Sequence, residues 1–124
     1  MKPKRILIVD DEERIREVVR ACLEDLGGGE VETSASGAEG LRKITVEIFD
    51  AIILDISMPD MDGLVFLQIL AEKANIITPP IVLLTAKMFE NDIGQFTKLG
   101  VVGIINKPFN PIALSNEITA ILKW

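Results

Sequence analysis

Four short apolar runs and one weaker strand candidate, each followed by a segment whose apolar residues recur at helical spacing, constrain this chain more than any other feature. Ile6 to Val9, Ala51 to Leu54, Ile81 to Leu84 and Val101 to Ile105 are continuous, rich in β-branched residues and too short for helices, as strands buried on both faces are. Val31 to Ser34 is a weaker strand candidate. Ile15, Val18, Val19, Cys22, Leu23 and Leu26 form a helical stripe that ends at Gly27 to Gly29, and Ala38, Leu41, Ile44 and Ile48 form a second, less regular one. Leu64, Leu67 and Leu70 space a third helix, Phe89, Ile93, Phe96 and Leu99 a fourth that stops at Gly100, and Leu114, Ile118, Ile121 and Leu122 a fifth. This (βα)5 pattern predicts a doubly wound α/β fold: a five-stranded, mostly parallel sheet with helices on both faces, joined by right-handed crossovers. With 124 residues and no repeat or linker, residues 1–124 read as one domain.

Composition removes several functions. Thirteen Lys and Arg against nineteen Asp and Glu give a formal charge of −6, the wrong sign for a domain whose task is direct nucleic-acid binding. No histidine is present, which excludes His-Cys zinc sites, Ser-His-Asp and Cys-His triads and any imidazole base within the chain. A single cysteine, Cys22, cannot close an internal disulfide and fits a reducing compartment; on its apolar stripe it reads as inert core. The opening Met-Lys-Pro-Lys-Arg is followed by only four apolar residues before Asp10, too short a run for a secretion signal, and no run approaches the roughly 18 apolar residues of a spanning helix. The expected location is the cytoplasm, away from the membrane.

Ligands of such sheets bind beyond the carboxyl ends of the strands. There the sequence places Asp10, Asp11, Glu12 and Glu13 after the first run, Asp55 after the third, Thr85 after the fourth and Lys107-Pro108 after the fifth. Acids stand where a nucleotide-binding loop would carry glycines, so the Rossmann and P-loop readings fail. Two carboxylates about 4 Å apart repel by roughly 4 kcal/mol at an effective dielectric of about 20, so clustering Asp10, Asp11 and Asp55 requires retained protons or a divalent cation. Carboxylate oxygens without His or Cys favour Mg2+. Asp55, on a rigid strand end, is the candidate nucleophile, with Lys107 and Thr85 to stabilise a transferring phosphoryl group.

Each residue also has a plainer reading. Asp10 to Glu13 fit a helix N-terminus that favours acids, Thr85 an N-cap, and Lys107 a solvated charge. Asp60-Met61-Asp62-Gly63 resembles a calcium loop, but Gly63 at its sixth position would put Met58 first and Ile69 twelfth, where acids are required. Phe89, Phe96 and the methionines fit packing rather than base stacking. The phosphoryl reading prevails by coincidence: every strand end but the second carries a residue that this chemistry needs.

The chain resembles a response-regulator receiver domain, the phosphoacceptor module of two-component signalling. The resemblance runs through Ile-Leu-Ile-Val-Asp10-Asp11-Glu, Ile-Leu-Asp55-Ile-Ser-Met-Pro-Asp-Met-Asp-Gly63, Leu-Leu-Thr85-Ala86-Lys and Asn-Lys107-Pro108-Phe109, and covers essentially the whole chain. It implies a flavodoxin-like strand order 2-1-3-4-5 and transfer of a phosphoryl group to Asp55 from a sensor histidine kinase or histidine phosphotransfer protein. Asp10, Asp11, Asp55 and the backbone carbonyl of Ser57 would hold Mg2+, and Thr85 and Lys107 would close on the phosphoryl oxygens. It implies a cis Lys107-Pro108 peptide that aims Lys107 inward. In the family Thr85 switches together with an aromatic residue on the fifth strand; here that position is Ile104 and the chain has no tyrosine, so the readout is expected to differ.

The expected output is a changed surface around helix 4, strand 5 and helix 5, read by a downstream protein target or a fused output domain, or used in a phosphorylation-dependent dimer. The competing reading is an interaction module that keeps the fold without using Asp55; the complete acid, threonine and lysine set opposes it. A phosphohydrolase with an aspartyl nucleophile would need a second acid two residues on, where Ser57 stands. The chain is therefore expected not to be a metabolic enzyme, and to catalyse only its own phosphorylation and slow dephosphorylation.

Overall fold

A computed structural model describes residues 4–24, 29–73, 78–86 and 90–124, with 90–93 described in backbone only. Five strands alternate with five helices: β1 (Arg5–Val9), α1 (Glu13–Glu24), β2 (Glu30–Ser34), α2 (Gly37–Val46), β3 (Ala51–Asp55), α3 (Gly63–Ala71), β4 (Ile81–Thr85), α4 (Glu90–Lys98), β5 (Val101–Asn106) and α5 (Pro111–Leu122). The strands form one parallel sheet in the order β2-β1-β3-β4-β5. All five residues of β3 and of β4 are buried, which is why those stretches read as unbroken apolar runs.

Side-chain alternation along the strands splits the interior into two layers. Leu7, Val9, Ile52, Leu54, Ile81 and Leu83 face Leu41 and Ile44 of α2, Phe66, Leu67 and Leu70 of α3, and Phe96 of α4. Ile6, Ile8, Ala51, Ile53, Val82 and Leu84 face Val19 and Leu23 of α1 and Leu114 and Ile118 of α5. The strand order reverses between β1 and β3, so a crevice opens beyond their carboxyl ends, beside Asp10 and Asp55.

The second helical stripe needs correction. α2 ends at Val46, Ile48 is 86% exposed, and Phe49 enters the core in its place at 6%. Extending the i+4 spacing to Ile48 fails because Glu47 is already extended (φ −132°, ψ 152°), although its N–H still closes on the Lys43 carbonyl at 2.9 Å. Ala38 also faces solvent, and Gly37 and Gly40 are the buried small residues beside Leu41 and Ile44. Leu26, Gly27, Gly28 and Phe89 lie outside the described residues, as does the Ile93 side chain. Cys22 is half-buried, its thiol donating to the Pro111 carbonyl at 3.2 Å and so linking α1 to α5. No helix among the described residues is long and apolar enough to cross a membrane.

Candidate functional site

Asp10 leaves β1 directly into the turn before α1. Its N–H bonds the Ser34 carbonyl at 3.1 Å, extending the β1–β2 pairing by one residue and holding the side chain in the interior, fully buried. Asp10 Oδ1 accepts from the Glu12 N–H at 2.9 Å, and Oδ2 takes the Lys107 ammonium at 2.9 Å. Asp55 ends β3 at 4% exposure; its Oδ1 accepts from the Ser57 N–H at 3.3 Å and stands 3.5 Å from Lys107 Nζ. Asp11 is exposed at the mouth. One carboxylate oxygen from each of Asp10, Asp11 and Asp55 lies within 4.8 Å of the others.

Lys107 comes from the far side of this crevice. β5 pairs through Asn106 with Thr85, and the Lys107 N–H bonds the Thr85 carbonyl at 2.8 Å before a cis Lys107–Pro108 peptide. The ammonium, on a side chain only 13% exposed, reaches Asp10, Asp55 and, at 3.7 Å, Glu12. It is therefore an inward-facing partner of the cluster and not a solvated surface charge. Thr85, 2% exposed, ends β4 one residue beyond Leu84, the sheet partner of Asp55. Ile104 pairs with Leu83 and packs half-buried on the α2–α3–α4 layer, the sheet face to which Leu83 and Thr85 also point.

Burial, then the charge of Asp10, raises the Asp55 carboxyl to about 6, against the pull of Lys107 and the Ser57 N–H. Burial alone would lower the Lys107 ammonium, but its hydrogen bond to Asp10 and the charges of Asp10, Asp55 and Glu12 outweigh this and raise it. The cluster of Asp10, Asp11 and Asp55 thus has one ammonium, that of Lys107, to set against three carboxylates. The remaining two negative charges, the all-oxygen donor set and the close gathering of one oxygen from each acid fit a hard divalent cation such as Mg2+, whose opposite ligands stand about 4.2 Å apart.

Four further contributors surround the site, and only the helix cap among them had a clear signal in the sequence. Asp60 reaches from the β3–α3 loop to the start of α2, accepting from the N–H groups of Gly37 at 3.1 Å and Ala38 at 3.0 Å. Asp62 caps α3 through the Val65 N–H at 2.9 Å, a role readable from an acid placed just before an apolar helical run. Gly63 belongs to the same loop: its N–H bonds the Ile56 carbonyl at 2.7 Å, and an added Cβ would sit 2.9 Å from Ile56 Cα. Arg16, on α1, donates from Nη1 to the Asp10 carbonyl at 2.8 Å.

Comparison with known proteins agrees with this arrangement. The family model for the response regulator receiver domain matches residues 6–119. The response regulator Rre1 of Synechocystis is 37% identical over 122 residues, covering 98% of this chain and 51% of that protein. The alkaline phosphatase synthesis transcriptional regulatory protein PhoP of Bacillus subtilis is 37% identical over 120 residues, 97% of this chain and 49% of that one. The chain thus spans about half the length of these curated relatives. Among solved structures, the chemotaxis response regulator CheY4 of Vibrio cholerae superposes with a TM-score of 0.86 at 34% identity, covering 97% of this chain and 99% of that one. Sheet order, site geometry and these matches together place the chain in the response-regulator receiver family of two-component systems.

Proposed function

We propose that residues 1–124 form one receiver unit in which Asp55 accepts a phosphoryl group in a Mg2+-dependent step. The observation that carries this reading is the reach of Lys107 to both Asp10 and Asp55 at the edge where Asp10, Asp11 and Asp55 gather. The chain has no histidine, so the donor is external: a phosphohistidine on a sensor histidine kinase or a histidine phosphotransfer protein. A carboxylate oxygen of Asp55 attacks phosphorus and the P–N bond to the donor imidazole breaks. The departing nitrogen keeps the bonding pair and the imidazole takes a proton from solvent, leaving an acyl phosphate on Asp55.

Asp10, Asp11, Asp55 and the Ser57 backbone carbonyl would hold Mg2+, which would supply the positive charge that the transferring group needs. Lys107 moves from Asp10 and Asp55 to a phosphoryl oxygen, and the Thr85 hydroxyl donates to another from the neighbouring strand end. This draws on Thr85, at the top of the sheet face that also carries Ile104, and changes the surface of α4, β5 and α5. With isoleucine in place of an aromatic switch residue, movement of the segment between Thr85 and Gly100 carries the signal. Taking the active form from about 1:99 to 99:1 requires a bias of roughly 5.5 kcal/mol.

In this reading the domain works in the cytoplasm on a downstream protein target or an attached output domain. It neither binds nucleic acid itself nor turns over metabolites, and phosphorylation can also promote a dimer. Intact-mass spectrometry after acetyl phosphate, with and without Mg2+, tests the central step on the wild type and Asp55→Asn. One phosphoryl group is expected, only with Mg2+ and only on the wild type. No gain from acetyl phosphate or from a phosphorylated kinase, on folded protein, would leave the interaction-module reading.

A further inference from the structure

We infer that Arg16 is a positioning residue for cation binding, acting through the backbone that joins Asp10 to Asp11. The inference rests on the Mg2+ reading of the acidic cluster. Arg16 lies in the first turns of α1, half-buried, and its side chain runs back toward the helix start, as helix geometry directs. There Nη1 donates at 2.8 Å to the carbonyl of Asp10, the oxygen of the peptide that links the two acids.

The two acids are anchored very differently. Asp10 is held on its N–H by Ser34, on Oδ1 by Glu12 and on Oδ2 by Lys107. Asp11 is exposed, and among the described residues no hydrogen bond or ion pair holds its carboxylate. Its aim is therefore set by its own backbone, and Arg16 fixes the peptide plane on which that backbone starts. Outer partners of this kind orient ligands and change metal affinity by about 10- to 100-fold when removed.

Charge alone predicts the opposite sign. A guanidinium beside an acidic site repels an incoming cation, so its removal would tighten binding if orientation were unimportant. The experiment is calorimetric titration of the folded protein with Mg2+, alongside thermal unfolding in chelator, for the wild type, Arg16→Met and Arg16→Lys. Arg16→Met is expected to weaken Mg2+ binding about tenfold, with Arg16→Lys, which keeps a charged donor on the stem, recovering part of the loss. Arg16→Gln provides the same comparison if Arg16→Met does not fold. Unchanged or tighter binding in the uncharged variant, whatever happens to its melting temperature, would overturn the inference. Failure of the wild type to bind Mg2+ would overturn the metal reading itself and the inference with it.

Discussion

At the amino end of the sheet Arg5 stands among acids, and at the carboxyl end Lys107 does the same, yet the two clusters are in opposite electrostatic condition. Arg5 bonds Glu47 at 2.6 Å, Glu30 at 3.2 Å and the Ile48 carbonyl at 3.0 Å, and lies 5.0 Å from the Phe49 ring centre. Its side chain is 30% exposed and those of Glu30 and Glu47 are 59% and 35% exposed, so water screens whatever the pairing leaves over. The hydrogen bond it donates to Glu47 keeps the guanidinium even more firmly charged than usual. Lys107 instead faces two carboxylates that are almost wholly buried, where burial weakens screening, and no second lysine among the described residues pairs with them. Similar residue types therefore fasten three segments together at one end and leave an unneutralised negative charge, of the sign a cation would compensate, at the other.

Removing the cation separates the two ends most sharply. Lys107→Met leaves Asp10 and Asp55 buried without a counter-charge and is expected to lower the unfolding free energy by about 3 kcal/mol in chelator at neutral pH, measured by urea unfolding. Arg5→Met, from the open end, should lose only about 1 kcal/mol, less at high salt, and leave phosphorylation unchanged. Equal losses would break the contrast.

Removing an acid reverses the sign at the buried end. The Asp55 carboxyl titrates near 6 when folded against an ordinary 3.8, so the folded chain holds this proton more tightly than the unfolded one. Its charge is harmless below about 4 and increasingly destabilising as pH rises through 6. Asp55→Asn should therefore stabilise the metal-free protein by about 2 kcal/mol at pH 7.5 and flatten its stability between pH 4 and 6. A variant less stable than the wild type in chelator would contradict the account.

Asp60 sharpens the comparison with a carboxylate whose situation is the reverse. Exposed, and held below the usual carboxylate range by the Ala38 and Gly37 N–H groups, it stabilises the fold while ionised and loses that contribution as pH falls through its lowered pKa. Asp60→Ala should cost about 1 kcal/mol at neutral pH and progressively less in acid, read from melting curves across pH.

What the sequence disclosed and what it concealed follow one rule. Ile52, Ile53 and Leu54 announce a strand because burial on both faces leaves a local apolar signature, and Asp10, Asp55, Thr85 and Lys107 can be found because each immediately follows or ends such a strand. The order of the strands is not a local property and came from resemblance, with β1 lying between β2 and β3. Nothing in the sequence links Asp60 to Gly37, twenty-three residues away, or Arg5 to Glu47, forty-two away. Ile48 misled because a helical period continues on paper where the chain has already turned at Glu47. The Arg16 contact is close in sequence but goes to a carbonyl, and carbonyls carry no residue-type signal.

The most direct test of the central claim is chemical trapping of the acyl phosphate. The wild type is phosphorylated with acetyl phosphate and Mg2+, reduced with borohydride, digested and sequenced by mass spectrometry. Homoserine at position 55, absent when Mg2+ is withheld, is the predicted result. Homoserine at Asp10, Asp11 or Asp60 instead, or at no position despite a measured phosphoryl gain, would contradict it.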